Sequence, residues 1–223
     1  MHYHYKLGLL LFPMPLLKDI WLNEHTRLAL WDFNEGIDNT LETLQLNNIQ
    51  RLRYEQFHHQ KRQEEWLASR LLLQSIGFNH PISYLDNGKP VVNDEIHFSL
   101  SHCLPYVAVL VSSRPCGLDI QKAEEKMMRI KDKFCHEEEW AAAAVSSSPL
   151  DYVSLLWSAK EALFKVYGEN LIFKEQLRIA PFDLDEAPFS AQVHLPEGVV
   201  AYTLNKSLVD GHWLVSTVMP SWA

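Results

Sequence analysis

The sequence predicts an α+β protein that is either one large domain or two small α/β lobes, residues 1–112 and 113–223. Three observations carry this reading. Each half contains both long amphipathic helical runs and short apolar runs bounded by turn residues. No low-complexity tract or long linker separates the halves. The stretch from Trp66 to Gly77 also echoes Trp157 to Gly168: Trp, Ala, Leu and Gly coincide at matching positions, and Arg70 falls where Glu161 falls.

In chain order, the apolar run Leu7–Leu17 resembles a secretory core, but its prolines, weak positive flank and missing small-residue cleavage site point to an N-terminal strand running into a loop. Leu28–Gln50 mixes acids, Leu and Asn and is expected to be helical, with a break at Asn47-Asn48. A long amphipathic helix follows over Phe57–Ile76, stopped by Gly77. Ile82–Leu85, Asp86-Asn-Gly88 and Val91-Val92 read as strand, turn and strand. Ile96–Leu100 and Val107–Val111 are expected strands, and Cys116–Gln121 another after the turn at Ser112–Pro115. Helices are predicted over Ala123–Phe134 and Glu137–Val145. A third has Ser148 as N-cap, Pro149 as first helical residue and Gly168 as stop. The remaining strands are Leu177–Ile179, Ser190–Leu195, Val199–Leu204 and Trp213–Val218.

Composition narrows the function classes. With 47% hydrophobic and 22% charged residues the chain has an ordinary globular make-up, and no apolar run reaches membrane-spanning length. Its net charge of −8 argues against a general nucleic-acid binder. Three cysteines, Cys103, Cys116 and Cys135, lack metal-ligand spacing, and this sparse odd count suits a reducing cytoplasm. Eleven histidines show no zinc-binding pattern.

The chemistry concentrates in two places. In Trp157-Ser-Ala-Lys-Glu-Ala-Leu-Phe-Lys-Val-Tyr-Gly168, about 100° per residue puts Ala159, Ala162, Leu163 and Val166 on a core face. Trp157, Lys160, Glu161, Phe164 and Lys165 fall on the other, which reads as a cleft wall that handles an anion or as a helix surface with an ion pair at i, i+4. In Cys116-Gly-Leu-Asp-Ile-Gln121, Asp119 and Gln121 point to one face of a strand. Two oxygen ligands there and Glu161 on a helix can make part of a Mg²⁺ site, with water and substrate phosphate completing it.

Together these segments resemble the 4′-phosphopantetheinyl transferases. Gly117-Leu-Asp-Ile-Gln121 and Trp157-Ser-Ala-Lys-Glu-Ala162 with Lys165 are similar to the family's G-[IV]-D-[IV]-E and W-x-x-K-E-A-x-x-K elements at similar spacing. Gly88-Lys-Pro90, Phe98-Ser-Leu-Ser-His102, Phe134-Cys-His-Glu-Glu138 and the Arg62–Arg70 helix resemble further family elements in the same order. The resemblance covers roughly residues 50 to 205. The length fits the two-lobed, Sfp-type branch, not the short branch that assembles as trimers. One departure is Gln121, where the family commonly has Glu; an amide oxygen still ligates Mg²⁺ but brings no charge.

The resemblance implies a pseudo-twofold pair of lobes, each a small, mostly antiparallel sheet packed with helices, with the active site at the seam. The N-terminal lobe would contact the phosphates and adenine of coenzyme A, and the C-terminal lobe would supply the metal site and signature helix. It implies transfer of 4′-phosphopantetheine from coenzyme A to a serine hydroxyl of an apo acyl or peptidyl carrier protein, releasing 3′,5′-ADP. Asp119, Gln121 and Glu161 would hold Mg²⁺ or Mn²⁺. Glu161, directly or through water, would be the base. Lys160 and Lys165 would stabilise phosphate charge. Arg62, Arg70, Lys89, Ser101 and His102 would bind coenzyme A, and Glu138 would bind the metal or a neighbouring cation, or favour a helix N-terminus. A carrier would dock on local basic residues among Arg51, Arg53, Lys61, Arg62, Lys122 and Lys126. A cytoplasmic monomer with no nucleic-acid or membrane partner is expected. A non-catalytic coenzyme A- or nucleotide-binding relative is the alternative, and a docking protein that uses the Trp-rich helix is a third reading.

Overall fold

The computed structural model describes residues 16–34, 36–44, 46–85, 90–92, 95–168 and 171–221. The expected Asp86–Lys89 turn and most of Leu7–Leu17 lie outside them. Among the described residues the protein is α+β. The chain runs β1 (Leu16–Asn23), β2 (Thr26–Asp32), α1 (Ile37–Thr43), α2 (Asn48–Glu55), α3 (Gln60–Ser75), β3 (Ser83–Tyr84), β4 (Pro90–Val91), β5 (His97–Cys103) and β6 (Tyr106–Ser112). It continues with β7 (Cys116–Lys122), α4 (Glu125–Ile130) and its trailing 3₁₀ turn, α5 (Glu137–Ala144), α6 (Pro149–Tyr167), α7 (Phe173–Gln176), β8 (Leu177–Ile179), β9 (Phe189–Leu195), β10 (Gly198–Val209) and β11 (His212–Val218).

Two antiparallel sheets result, ordered β1-β2-β6-β5 and β7-β11-β10-β9-β8, with β3 and β4 forming a small separate ribbon. α3 covers one face of the first sheet through Leu67, Leu71 and Leu72 against Ala29, Trp31, Val107 and Val109. α6 covers the second sheet in the same way, with Leu155, Ala159 and Leu163 clustered with Val193, Leu204 and Val215. The inner faces of the sheets share a third core, in which Leu28, Leu30, Ala108 and Leu110 meet Leu118, Ile120 and Leu214. The layers are therefore helix, sheet, sheet, helix. Across this middle layer Tyr106 Oη donates to Asp210 Oδ2 at 2.6 Å, and the His212 ring meets the Tyr106 ring edge-on.

The middle core explains one failed expectation. Leu28–Asp32 is strand, not helix, and the rest of Leu28–Gln50 holds α1 and the start of α2. β2 is covered on both faces, so both sets of its alternating side chains are apolar and the period-2 signal disappears. The break at Asn47 is real: it closes a capping box, accepting from Gln50 N at 2.9 Å while Gln50 Oε1 accepts from Asn47 N at 3.0 Å. The predicted long helix starts only at Gln60, after α2. Around α6 the local signals held. Ser148 caps it, Pro149 opens it, and Gly168 closes it at φ 92° in the left-handed region.

Gly117 sets the spacing between β7 and α6. A Cβ there would lie 1.8 Å from the Ala162 carbonyl oxygen, a backbone atom that cannot swing aside. Gly117→Ala is therefore expected to force α6 off the sheet and cost more than the usual 1–3 kcal/mol of core overpacking. A melting temperature within about 2 °C of wild type would refute this account of the contact.

Candidate active site

β5 and β7 are edge strands of different sheets, and they run side by side without a backbone ladder between them. Side chains replace it: Ser99 Oγ accepts from Leu118 N at 3.0 Å, and Ser101 Oγ accepts from Ile120 N at 3.2 Å. β7 turns Leu118 and Ile120 into the middle core. The opposite face presents Gly117 to α6 and carries Asp119 beside it. Because Gly117 lets the helix approach, Glu161 and Lys165, one turn apart, reach Asp119. Lys165 Nζ donates to Asp119 Oδ1 at 2.9 Å, to Ser101 Oγ at 3.1 Å and to Leu118 O at 2.8 Å.

Asp119 is 7% exposed. Its Oδ1 takes hydrogen bonds from Ser101 Oγ, at 2.8 Å, and Lys165, while its buried Oδ2 has no partner among the described residues. Glu161 is half-buried and makes no hydrogen bond among those residues. Burial raises its carboxyl above the usual range, the neighbouring Asp119 charge raises it further, and Lys165 partly offsets both. Two carboxylates thus share one spot with incomplete neutralisation. An orphaned buried oxygen beside a second carboxylate fits a hard divalent cation that takes its remaining ligands from water and phosphate. Gln121 is the next residue on that face of β7; its amide nitrogen donates to Lys122 O, and its side-chain oxygen has no hydrogen bond among the described residues. Among the described residues no group of three or more His, Cys, Asp and Glu forms a metal cluster.

From this point a groove of about 640 Å³ runs between α3 and the C-terminal turns of α6. α3 contributes Arg62, Glu65, Trp66 and Arg70, β5 contributes His102, and α6 contributes Phe164 and Lys165. Glu65, 6% exposed, accepts from Arg62 at 2.9 Å and faces His102 Nδ1 at 3.5 Å. Burial lowers the His102 pKa; Glu65 opposes the shift, and Lys165 and Arg62 add to it. Arg70 is 8% exposed, donates to Tyr84 Oη and packs 4.9 Å from the Trp66 ring centroid. Arg53 lies 4.5 Å from the Tyr84 ring centroid. Neither guanidinium pairs with a carboxylate among the described residues, and each has a buried, unpartnered Nε. Burial pushes the Arg70 pKa down, and Arg53 adds to that while Tyr84 opposes it. Lys165 lines the groove and links it to the adjoining Asp119, which with Glu161 lies outside the lining; Arg70 lines the groove wall, and Arg53 packs on the Tyr84 ring beside it. A larger cavity, about 1010 Å³, lies by β8, β9 and β10, and of the residues singled out from the sequence only Glu138 borders it.

The structure brings together Asp119, Glu161, Lys165, His102, Arg62 and Arg70. Lys89 lies outside the described residues. Lys160 must be corrected. It is 0% exposed, and its Nζ donates to Glu139 Oε2 at 2.7 Å and to the Phe134, Phe173 and Leu177 carbonyls. It tethers α6 to α5 and α7 and does not face the groove. Helical periodicity placed it beside Glu161, but α5 and α7 roof that side, with Phe134 and Phe173 packed on Trp157. Glu138 lies in the first turn of α5, where an acid favours the helix N-terminus, with its side chain 88% exposed beside His136; the acid that engages Lys160 is the next residue, Glu139. Ser101 lies against Asp119, to whose Oδ1 its hydroxyl donates at 2.8 Å, and like Asp119 and Glu161 it is not among the groove's lining residues. Sequence reasoning missed Glu65 and Tyr84 in the groove and had Arg53 only as a docking candidate.

Two measurements check these assignments. Lys160→Met leaves Glu139 buried and unpaired, so denaturant unfolding should show a loss of about 3–5 kcal/mol; a loss under about 1 kcal/mol would refute the tether. Glu161 has a raised folded-state pKa, so its contribution is fully present below the unfolded value and is lost as pH rises through the folded one. Glu161→Gln should therefore melt higher than wild type at pH 8, with the difference closing near pH 4. A variant that is less stable at pH 8 contradicts the crowding of charge at this point.

A family model described as ACPS, 4′-phosphopantetheinyl transferase superfamily, matches residues 115–218. The 4′-phosphopantetheinyl transferase gsp of Aneurinibacillus migulanus is 32% identical over 112 residues, 48% of this chain and 47% of that protein. The transferase Sfp of Bacillus subtilis is 33% identical over 88 residues, 38% of this chain and 39% of that protein. Enterobactin synthase component D of Salmonella typhi is 26% identical over 167 residues, 72% of this chain and 67% of that protein. The chain thus spans about half the length of the first of these relatives and 39% of the second. Asp119, Glu161 and Lys165 all fall inside the matched segment, residues 115–218, which is similar to the 4′-phosphopantetheinyl transferase superfamily, with relatives of the Sfp and gsp type.

Proposed function

We propose that the protein transfers 4′-phosphopantetheine from coenzyme A to a serine hydroxyl of an apo acyl or peptidyl carrier protein and releases 3′,5′-ADP. The observation that carries this reading is the Asp119 and Glu161 carboxylates, linked through Lys165 to a groove whose wall carries Arg70, a guanidinium with no carboxylate partner among the described residues. That distribution suits a ligand with one phosphate held directly by cations and a pyrophosphate held against carboxylates.

In this reading Arg70, with Arg53 and Arg62, takes the 3′-phosphate, and Trp66 and Tyr84 give the nucleotide an apolar wall. His102 donates to phosphate oxygens. Asp119 and Glu161, with the Gln121 side-chain oxygen, would hold Mg²⁺ or Mn²⁺, which would supply neutralisation of pyrophosphate charge. Lys165 stabilises charge that builds on the phosphates and on the leaving group. Glu161, whose proton affinity is raised, accepts the serine proton, directly or through one water. The serine oxygen forms its bond to the β-phosphorus as the bond to the bridging oxygen breaks, and 3′,5′-ADP carries that electron pair away. Lys89 remains a candidate adenine or phosphate contact. Positioning dominates such a reaction, and the groove walls come from both halves of the chain.

The three free cysteines suit a reducing cytoplasm, and a single chain supplies the whole groove, so a cytoplasmic monomer is part of the proposal. Among the described residues no helix is long and apolar enough to cross a membrane. Gln121 favours one competing reading, a coenzyme A-binding relative without transfer.

Incubation with coenzyme A, Mg²⁺ and a panel of apo carrier proteins should add the mass of phosphopantetheine to at least one carrier. Glu161→Gln should slow that transfer by at least about 100-fold while calorimetry still detects coenzyme A binding. Coenzyme A binding that ignores Mg²⁺, with no carrier modified, would select the non-catalytic reading instead.

A further inference from the structure

We infer that Ser101 is a positioning residue for the metal-side carboxylate rather than a contact for coenzyme A; the inference rests on the proposed metal site. Its hydroxyl, 7% exposed, is fully committed. The single proton goes to Asp119 Oδ1 at 2.8 Å, and the oxygen accepts from Ile120 N at 3.2 Å and Lys165 Nζ at 3.1 Å. A serine hydroxyl has one donor and two acceptor positions, so none remains for a phosphate. The consequence for Asp119 is directional. With Oδ1 held by Ser101 and Lys165, its χ2 is fixed and the partnerless Oδ2 is the oxygen left to ligate a cation. Buried carboxylate ligands are commonly held by such outer hydrogen bonds, whose loss weakens metal binding without removing a ligand.

The neighbouring strand position supplies an internal control. Ser99 makes the same kind of bond to a β7 amide, Leu118 N at 3.0 Å, but has no contact with Asp119. If Ser101 only joined β5 to β7, replacing either serine would have the same effect.

The experiment titrates Mn²⁺ calorimetrically into wild type, Ser101→Ala, Ser101→Thr and Ser99→Ala, each with saturating coenzyme A. It also measures melting temperature and the KM for coenzyme A at saturating metal. Ser101→Ala should weaken Mn²⁺ by roughly 10- to 100-fold with little change in KM for coenzyme A. Ser101→Thr, which keeps the hydroxyl, should recover most of that affinity. Ser99→Ala should lower the melting temperature while the Mn²⁺ dissociation constant stays near wild type. Unchanged Mn²⁺ affinity in Ser101→Ala overturns the inference, as does an equal loss in Ser99→Ala. A Ser101→Ala defect confined to KM for coenzyme A overturns it too, by returning the hydroxyl to the substrate. Wild type that binds no Mn²⁺ under these conditions removes the proposed metal site and this inference together. Wild type that binds it as tightly as Ser101→Ala removes the inference alone.

Discussion

The architecture depends on how two sheet edges meet. β5 and β7 have no backbone ladder, so their facing amides would lie buried and unpaired without help, at a cost of about 1–3 kcal/mol each. Ser99 and Ser101 meet that need from one strand. Lys165 then crosses from α6 to β7 and β5 through three short contacts. The joint between the halves and the proposed site thus share the same atoms. Anything that loosens the joint also moves Asp119.

Gly117 and Lys160 fix α6 from its two sides. The missing side chain at Gly117 admits the helix to the sheet. Lys160, buried with Glu139 and three carbonyls, anchors it to α5 and α7. A buried ion pair is weak evidence of net stability, because desolvation offsets much of the attraction. Its value here is orientational: only one rotation of α6 seats Lys160 in that cage, and the same rotation turns Glu161 and Lys165 toward Asp119. The net charge of −8 coexists with a groove whose wall carries Arg70, which has no carboxylate partner among the described residues. Overall charge therefore says little about what the groove prefers.

How much of this was legible in the sequence follows from where each signal resides. The limits of α6 were readable because capping is local: Ser148, Pro149 and Gly168 act within a few residues of the ends they mark. β8, β9 and β11 were readable from short apolar runs between turn residues. β2 was not, because its second face is buried by a sheet that comes much later in the chain. Lys160 defeated periodicity for the same reason. A helical wheel gives angles, but whether an angle faces water depends on α5 and α7, and only the fold supplies those. The Phe134 element placed Glu138 at a helix N-terminus, where it lies, but gave no sign that the adjacent Glu139, of the same chemistry, is the acid buried against Lys160. Asp119 and Glu161, forty-two positions apart, were first paired because a strand carboxylate and a helix carboxylate can share one Mg²⁺ ion, and the family resemblance then supported the pair.

The shared middle core has a further consequence. Leu118, Ile120 and Leu214 complete their burial only against Leu28, Leu30, Ala108 and Leu110. A truncated polypeptide holding just the family-matched segment would leave that hydrocarbon surface wet. It would be driven to self-associate, with copies of itself replacing the missing half. Covalent continuity between the halves here does the work that subunit assembly would do for a shorter protein, and gene fusion or fission across this boundary would exchange one for the other.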